Sequence, residues 1–387
     1  MSLTPNPSKL YFKNLHGFRF FAAALVILSH IELFKKRAGL ANLWDTPFFF
    51  EAGSAGVDFF FVLSGFLITS LLLKEMDETG KVDLKKFYLR RVLRIWPLYY
   101  LVLLLCYFVI PEIQIFYFEG YSEGIFENFW EKFWLSIFFF PNAALYVLKD
   151  IPYAAPLWSV GVEEQFYLFW PIILRFFPKN AKTYLGFIIL FIALKGGLVV
   201  FNKMQVIEPD SYEKIKDLVV ATRMECMGIG GLGAWLIFTK SKSGRILSSN
   251  VLIVVSLITI PFIFLFANSL FELHHILFSV CFLVIILNSA TNPKTFLNLE
   301  SKFYLTMGNI SYGLYLWHML IVGLVLKLLL MWQPFTGEEF IFNALLYIGA
   351  FILSTFWSYF SYNYFEKSFL NLKKKFSVIV SGMEARA

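Results

Sequence analysis

A chain of 387 residues with 58% hydrophobic and 20% aromatic residues, at a mean hydropathy of +0.66, carries more apolar surface than one soluble core absorbs. Lipid must cover the remainder, and no stretch is left for a soluble catalytic domain. The formal charge of +7 would suit nucleic acid, but the basic residues stand in short clusters between apolar runs, which is the pattern of membrane topology and excludes a nucleic-acid partner.

Apolar runs near twenty residues recur from end to end, each long enough to cross about 30 Å of hydrocarbon as a helix. In chain order the expected spans are 15–33, 56–74, 93–111, 164–177, 183–201, 218–239, 251–268, 272–289, 304–328 and 340–363. The first lacks a signal-peptide cleavage site and is expected to stay as a span. Lys81, Lys85, Lys86, Arg90 and Arg91 precede the third span, whereas Glu112, Glu119, Glu123 and Glu127 follow it, so the basic side faces the cytoplasm. Arg175, Lys179 and Lys182, then Lys240, Lys242 and Arg245, then Lys373, Lys374 and Lys375 are assigned to the same side. Parity requires the remaining apolar stretch, 133–149, to enter and leave on one side, with Pro141-Asn142 breaking its helix. Only Lys35, Lys36 and Arg37 run against this scheme.

The expectation is an all-α, polytopic transmembrane helix bundle of about ten spans plus one re-entrant segment. It comprises a single membrane-embedded domain over 1–370 and a basic cytoplasmic tail over 371–387, with both termini cytoplasmic. Cys106, Cys226 and Cys281 have no metal-ligand spacing and read as packing residues, so neither a metal nor a disulfide framework is expected.

A charge at mid-bilayer costs about 2.5–3.5 kcal/mol on insertion scales, so each ionisable residue in a span needs a partner, a wet cavity or a task. Arg19 and His30 share the first span; eleven residues is about three turns, which puts both on one face about 16 Å apart. Taken singly, Arg19 could snorkel and His30 could hydrogen-bond a neighbouring helix; a shared face favours function. Asp58, Glu163 with Glu164, Arg223 with Glu225, and His318 fall at depths similar to His30, in the outer half. Only one of Glu163 and Glu164 can face a cavity, because adjacent helical residues point about 100° apart; the other would pair with Arg223 or cap its helix. Asp58 reads as a helix-start carboxylate favoured by the dipole. Arg91 and Arg94 share one face at the inner side, where guanidinium forks suit phosphate.

These motifs resemble those of the acyltransferase 3 family, integral membrane O-acyltransferases that modify cell-surface and secreted carbohydrates and some small molecules. The resemblance rests on Gly17-x-Arg19 with His30, Gly56-Val57-Asp58 through Ser64-Gly65-Phe66, Arg91-x-x-Arg94, Trp158-Ser159 through Glu163-Glu164-Gln165-Phe166-Tyr167, and Leu314-Tyr315-Leu316-Trp317-His318, in family order across nearly the whole chain. It implies that Arg19 and His30 are essential for transfer and that Arg91 and Arg94 serve a cytoplasmic acyl-CoA site. Glu163, Glu164 and His318 match motif positions of less defined role. His16 departs from the aspartate common in the first motif. No esterase-like C-terminal domain follows in this chain, which implies a stand-alone transferase.

The expected function is transfer of an acyl group, by default acetyl, from cytoplasmic acyl-CoA to a hydroxyl of a cell-surface or exported carbohydrate, or of a lipid-linked glycan. His30 would be the general base, since a neutral imidazole accepts a proton near pH 7, and Arg19 or Arg223 would stabilise the oxyanion or the donor. Acyl-CoA is a co-substrate; no bound cofactor is expected, the only other partner is membrane lipid, and the location is a bacterial inner membrane. A proton-coupled transporter of polar solutes is the rival reading, because buried His, Glu and Arg also form proton relays; it calls for paired broken helices, and Pro141 has no symmetric partner. A non-catalytic assembly module would scatter its polar residues rather than gather them at two depths.

Overall fold

The computed structural model describes residues 9–148, 151–177, 179–205, 208–270, 273–332, 336–337, 339–376 and 379–381. Those residues are almost wholly helical. The expected tail of 371–387 therefore lies partly outside the described residues.

Three long helices open the chain: α1 (Leu15–Arg37), α2 (Pro47–Thr79) and α3 (Leu84–Leu104), the last running on through a π-helical turn and a 3-10 turn to Glu112. Two short helices follow, α4 (Phe129–Ile137) and α5 (Pro141–Val147), separated by a break in which Phe139 takes φ 63°. The break falls where Pro141 can only begin a helix, since the ring removes a donor that the interior needs. The rest of the bundle is α6 (Leu157–Phe176), α7 (Ala181–Lys203), α8 (Pro209–Thr222), α9 (Met224–Phe238), α10 (Lys242–Leu247), α11 (Asn250–Phe266), α12 (Leu273–Thr291), α13 (Lys302–Trp332), α14 (Phe340–Ser361) and α15 (Lys367–Lys374). A parallel pairing of β1 (Lys9–Leu10) with β2 (Val380–Ser381) ties the two ends of the described chain together.

Among the described residues, seven helices are long and apolar enough to cross a membrane: α1, α2, α3 with its extension, α7, α12, α13, and α14 with its continuation to Lys374. The expected span over 218–239 is not continuous. Arg223 takes a left-handed conformation (φ 38°) that ends α8 and starts α9, and its side chain turns inward to Asp58. Asp58 in turn is no helix-start carboxylate, because α2 begins eleven residues earlier, after the extended Thr46 and with Pro47 in its first turn.

The centre of the bundle is α1, packed between α2 and α13, with α9 on the other side of α2 and α14 on the outer side of α13. Small residues set these distances. A β-carbon at Gly65 would collide with the Met227 carbonyl, and one at Gly230 with the Val62 carbonyl, so α2 and α9 meet backbone to backbone. This is how helices associate where lipid removes the hydrophobic incentive and van der Waals contact supplies the attraction. At its start, α1 is held by Asn14, which adopts φ 65°; its amide donates to the Ser289 carbonyl (3.1 Å) and its side-chain oxygen accepts from Leu299 N–H (2.7 Å). Asn is among the few side chains that tolerate this conformation.

Gly230→Ala should therefore lower stability by about 1–3 kcal/mol through overpacking. Gly196→Ala, where nothing lies within 4 Å of the new methyl, should not. The thermal unfolding midpoint of the two variants in detergent checks the contrast.

Candidate active site

The helix starts of α1 and α3, the middle of α2, the first half of α6, α13 and the α14–α15 junction enclose a cavity of about 340 Å³. Arg19, Arg91, Arg94 and Glu163 all line it, together with Ser64, Ser159, Tyr167 and Tyr315. Arg91 and Arg94 reach it from one face of α3, whose start is capped by Asp83 accepting from the Lys86 N–H (3.0 Å).

Glu163 and Glu164 part company. Glu163 faces the cavity, accepting from Ser64 Oγ at 2.8 Å and from Tyr167 Oη at 3.1 Å. Glu164 points away and accepts from the indole N–H of Trp96 (2.9 Å). Neither pairs with Arg223 or caps α6, which starts at Leu157, about two turns before them. The three cavity arginines form no ion pair and no hydrogen bond with any other described residue, and Arg91 Nε is buried without a partner. Arg91 does lie 5.8 Å from the Phe87 ring centroid and 5.9 Å from that of Tyr167. A guanidinium left in this state within a protein interior is costly unless something anionic visits it.

His30 is not in the cavity lining. It stands beyond it, half-buried, and meets His318 across α1 and α13. His318 Nδ1 lies 2.7 Å from the Tyr315 carbonyl, and its Nε2 lies 3.1 Å from His30 Nδ1, which is also 3.0 Å from the Val26 carbonyl. A carbonyl only accepts, so His318 carries its proton on Nδ1 and presents Nε2 as an acceptor. His30 then carries its proton on Nδ1, and its Nε2 is left with the free lone pair. Tyr315 links this pair to the cavity: its ring lines the cavity, its hydroxyl lies 2.6 Å from Ser159 Oγ, and its carbonyl holds His318.

The third group is separate again. Asp58, fully buried, accepts from Arg223 Nη1 (3.0 Å) and from His275 Nδ1 (2.7 Å), while His274 lies 3.4 Å from Glu51. The outer-half polar residues expected at one level thus divide into a cavity carboxylate, a histidine pair and a neutralised ion cluster. His275 is the member that sequence reasoning missed, although His274-His275 inside an apolar span carries the same warning as His30. Glu366 was missed as well; it is buried at the cavity wall, 3.1 Å from Ser361 Oγ, in what reads from sequence as the end of the last span.

Residues 12–363 match a family profile described as an acyltransferase domain, the acyltransferase 3 family. The chain belongs to that family. It is 30% identical to the O-acetyltransferase OatA of Staphylococcus aureus (strain NCTC 8325 / PS 47), across 82% of this chain and 52% of the relative. It is 27% identical to the peptidoglycan O-acetyltransferase OatA of Listeria monocytogenes serovar 1/2a, across 86% of this chain and 53% of the relative. A putative O-acetyltransferase of S. aureus strain COL is 28% identical across 81% of this chain and 51% of its own length. The chain thus spans about half the length of the curated relatives it matches. No solved structure matches it. Among the described residues no cluster of His, Cys, Asp and Glu could hold a metal ion, and all three cysteines are free and buried.

Asp58→Ala should cost about 3–5 kcal/mol, because it strands a buried guanidinium. The unfolding midpoint of the purified variant reads this directly, and Asp58→Asn, which keeps an acceptor, should lose less.

Proposed function

We propose that this protein is a membrane-bound O-acyltransferase that moves an acyl group, acetyl by default, from cytoplasmic acyl-CoA to a hydroxyl of a cell-surface or exported carbohydrate. The observation that carries the reading is the set of three guanidiniums without ion pairs in one cavity, whose Tyr315 wall continues to the His318–His30 pair. An anionic donor suits the first, and a hydroxyl acceptor suits the second. Relatives named O-acetyltransferases support the acetyl group, and the one named for peptidoglycan supports a carbohydrate acceptor.

In this reading α6, α9 and α11 join the seven apolar helices as spans, giving ten, and α4 with α5 forms the re-entrant segment. Both termini are cytoplasmic, in a bacterial inner membrane. The three basic residues that run against this orientation are each engaged. Lys35 Nζ reaches Glu32 (3.1 Å) and Asn343 (2.9 Å), Lys36 reaches Asp45 (2.7 Å), and Arg37 sits over the Tyr121 ring at 3.7 Å. Charges so compensated weigh less in the orienting balance than the larger cluster before α3, in which Lys81, Lys85 and Arg91 have no ion pair among the described residues.

The reaction follows from the proton positions. His30 Nε2 takes the proton of the acceptor hydroxyl as its oxygen attacks the thioester carbonyl, and His318 accepts the hydrogen bond from His30 Nδ1, which steadies the imidazolium that forms. The carbonyl oxygen takes up the negative charge, and Arg19, about three turns of α1 away from His30, serves the donor. Collapse breaks the C–S bond, the ester leaves, and the CoA thiolate recovers the proton from His30. Arg91 and Arg94 hold the donor phosphates. Glu163, fixed by Ser64 and Tyr167, orients the site.

Purified protein in liposomes, given radiolabelled acetyl-CoA and candidate glycans, should acetylate the acceptor. His30→Ala should lower transfer by about 10²–10⁴-fold, the usual worth of a general base. Transfer at the wild-type rate would remove His30 from the mechanism. Glu127→Cys should react with a membrane-impermeant thiol reagent only from outside, and Lys85→Cys only from the cytoplasm, since the native cysteines are buried. The opposite pattern would invert the topology.

A further inference from the structure

The family profile ends at residue 363, yet the cavity does not. After α14 the chain passes through a π-helical turn, Tyr362–Glu366, into α15, and Lys367, Leu370, Asn371 and Lys374 of α15 all line the cavity. Their spacing, i, i+3, i+4 and i+7, is one face of a helix. Lys373, buried, lines it too. This face therefore adds two cations, and α15 with Lys373 three, to a cavity that already holds three guanidiniums.

The chain that follows α15 is held in two places. Arg90, beside the cavity arginines but turned away from them, donates Nη1 to the Phe376 carbonyl (3.0 Å) and Nη2 to Glu75 (3.0 Å). Further along, β2 pairs with β1, whose Lys9 carbonyl accepts from Lys74 Nζ (3.1 Å). The anchors are thus separate from the basic residues that line the cavity.

A volume of about 340 Å³ takes a slender acyl-pantetheine arm but not a whole coenzyme A. Its nucleotide end, which carries a ribose 3′-phosphate beside the pyrophosphate, must therefore stay at the mouth. We propose that α15 is a specificity strap: Lys367 and Lys374 engage the 3′-phosphate of the donor, while Arg91 and Arg94 take its pyrophosphate. The inference rests on the acyl-CoA reading above and adds a second phosphate subsite from residues outside the family segment.

The test is binding of CoA and of 3′-dephospho-CoA to the full chain in nanodiscs of neutral lipid, by calorimetry. Wild type should favour CoA by about 10–100-fold, the worth of charge-assisted hydrogen bonds to one phosphate. Lys367→Gln/Lys374→Gln should bring CoA down to the affinity of 3′-dephospho-CoA and leave the latter unchanged, which also shows that the variant is folded. Arg91→Gln should weaken both ligands. A double variant that keeps the preference for CoA, or a wild type with none, overturns the strap while leaving the donor reading intact. A preference that arises only in nanodiscs containing anionic lipid also overturns it, since the lysines would then serve lipid headgroups. Wild type that binds neither ligand overturns the donor reading, and the strap with it.

Discussion

The cost of holding charge away from bulk water governs this structure. Where a bilayer surrounds the bundle, a carboxylate or guanidinium persists only with a partner, and most of the buried ionic groups have one. Asp58 has Arg223 and His275, Glu225 has Lys195 at 2.5 Å, Glu75 has Arg90, and Glu32 has Lys35 with the Tyr347 hydroxyl. Against that background Arg19, Arg91 and Arg94 stand out, because none of them is ion-paired among the described residues, although Glu163 and Glu366 line the same cavity.

The neutralised clusters shape the helices that surround this space. The pull of Asp58 on Arg223 coincides with the break between α8 and α9, and α9 then lies against α2 closely enough for glycines to face carbonyls. On the same stretch of α2, Ser64 holds Glu163 and Gly65 admits α9. One short motif thus serves an ion cluster, a helix contact and the cavity carboxylate. The motif on α13 is used as fully: Tyr315 meets Ser159, Trp317 donates to Ser361 Oγ (3.1 Å), and His318 meets His30.

The boundary of the site is as informative as its centre. A donor that enters from the basic side meets arginines held by α3 and lysines held by α15, two elements with different anchors. Tyr315 and Ser159 stand between this cavity and the histidine pair. In the proposed function that separation gives donor and acceptor distinct approaches within one bundle.

The helical bundle and the costly charges that the structure gathers in one cavity were legible in the sequence, because hydropathy and the expense of intramembrane charge are properties of the chain read one segment at a time. Arg19, Arg91, Arg94, His30 and His318 declare themselves by being costly. Their grouping does not follow from depth alone. Depth put Asp58, Glu163, Arg223 and His318 at one level with His30, whereas side-chain direction and helix neighbours sort them into three environments. Which glutamate faces the cavity depends on a rotation of about 100° that only the packing of α6 against α2 and α3 decides. The proton on His30 Nδ1 depends on a carbonyl of the neighbouring helix α13, and the lysines of α15 join the cavity through a π-helical turn with no signature in composition. Pattern along the chain determines which groups must be accommodated; the tertiary structure decides with whom, because partnership is set by distances between helices far apart in sequence.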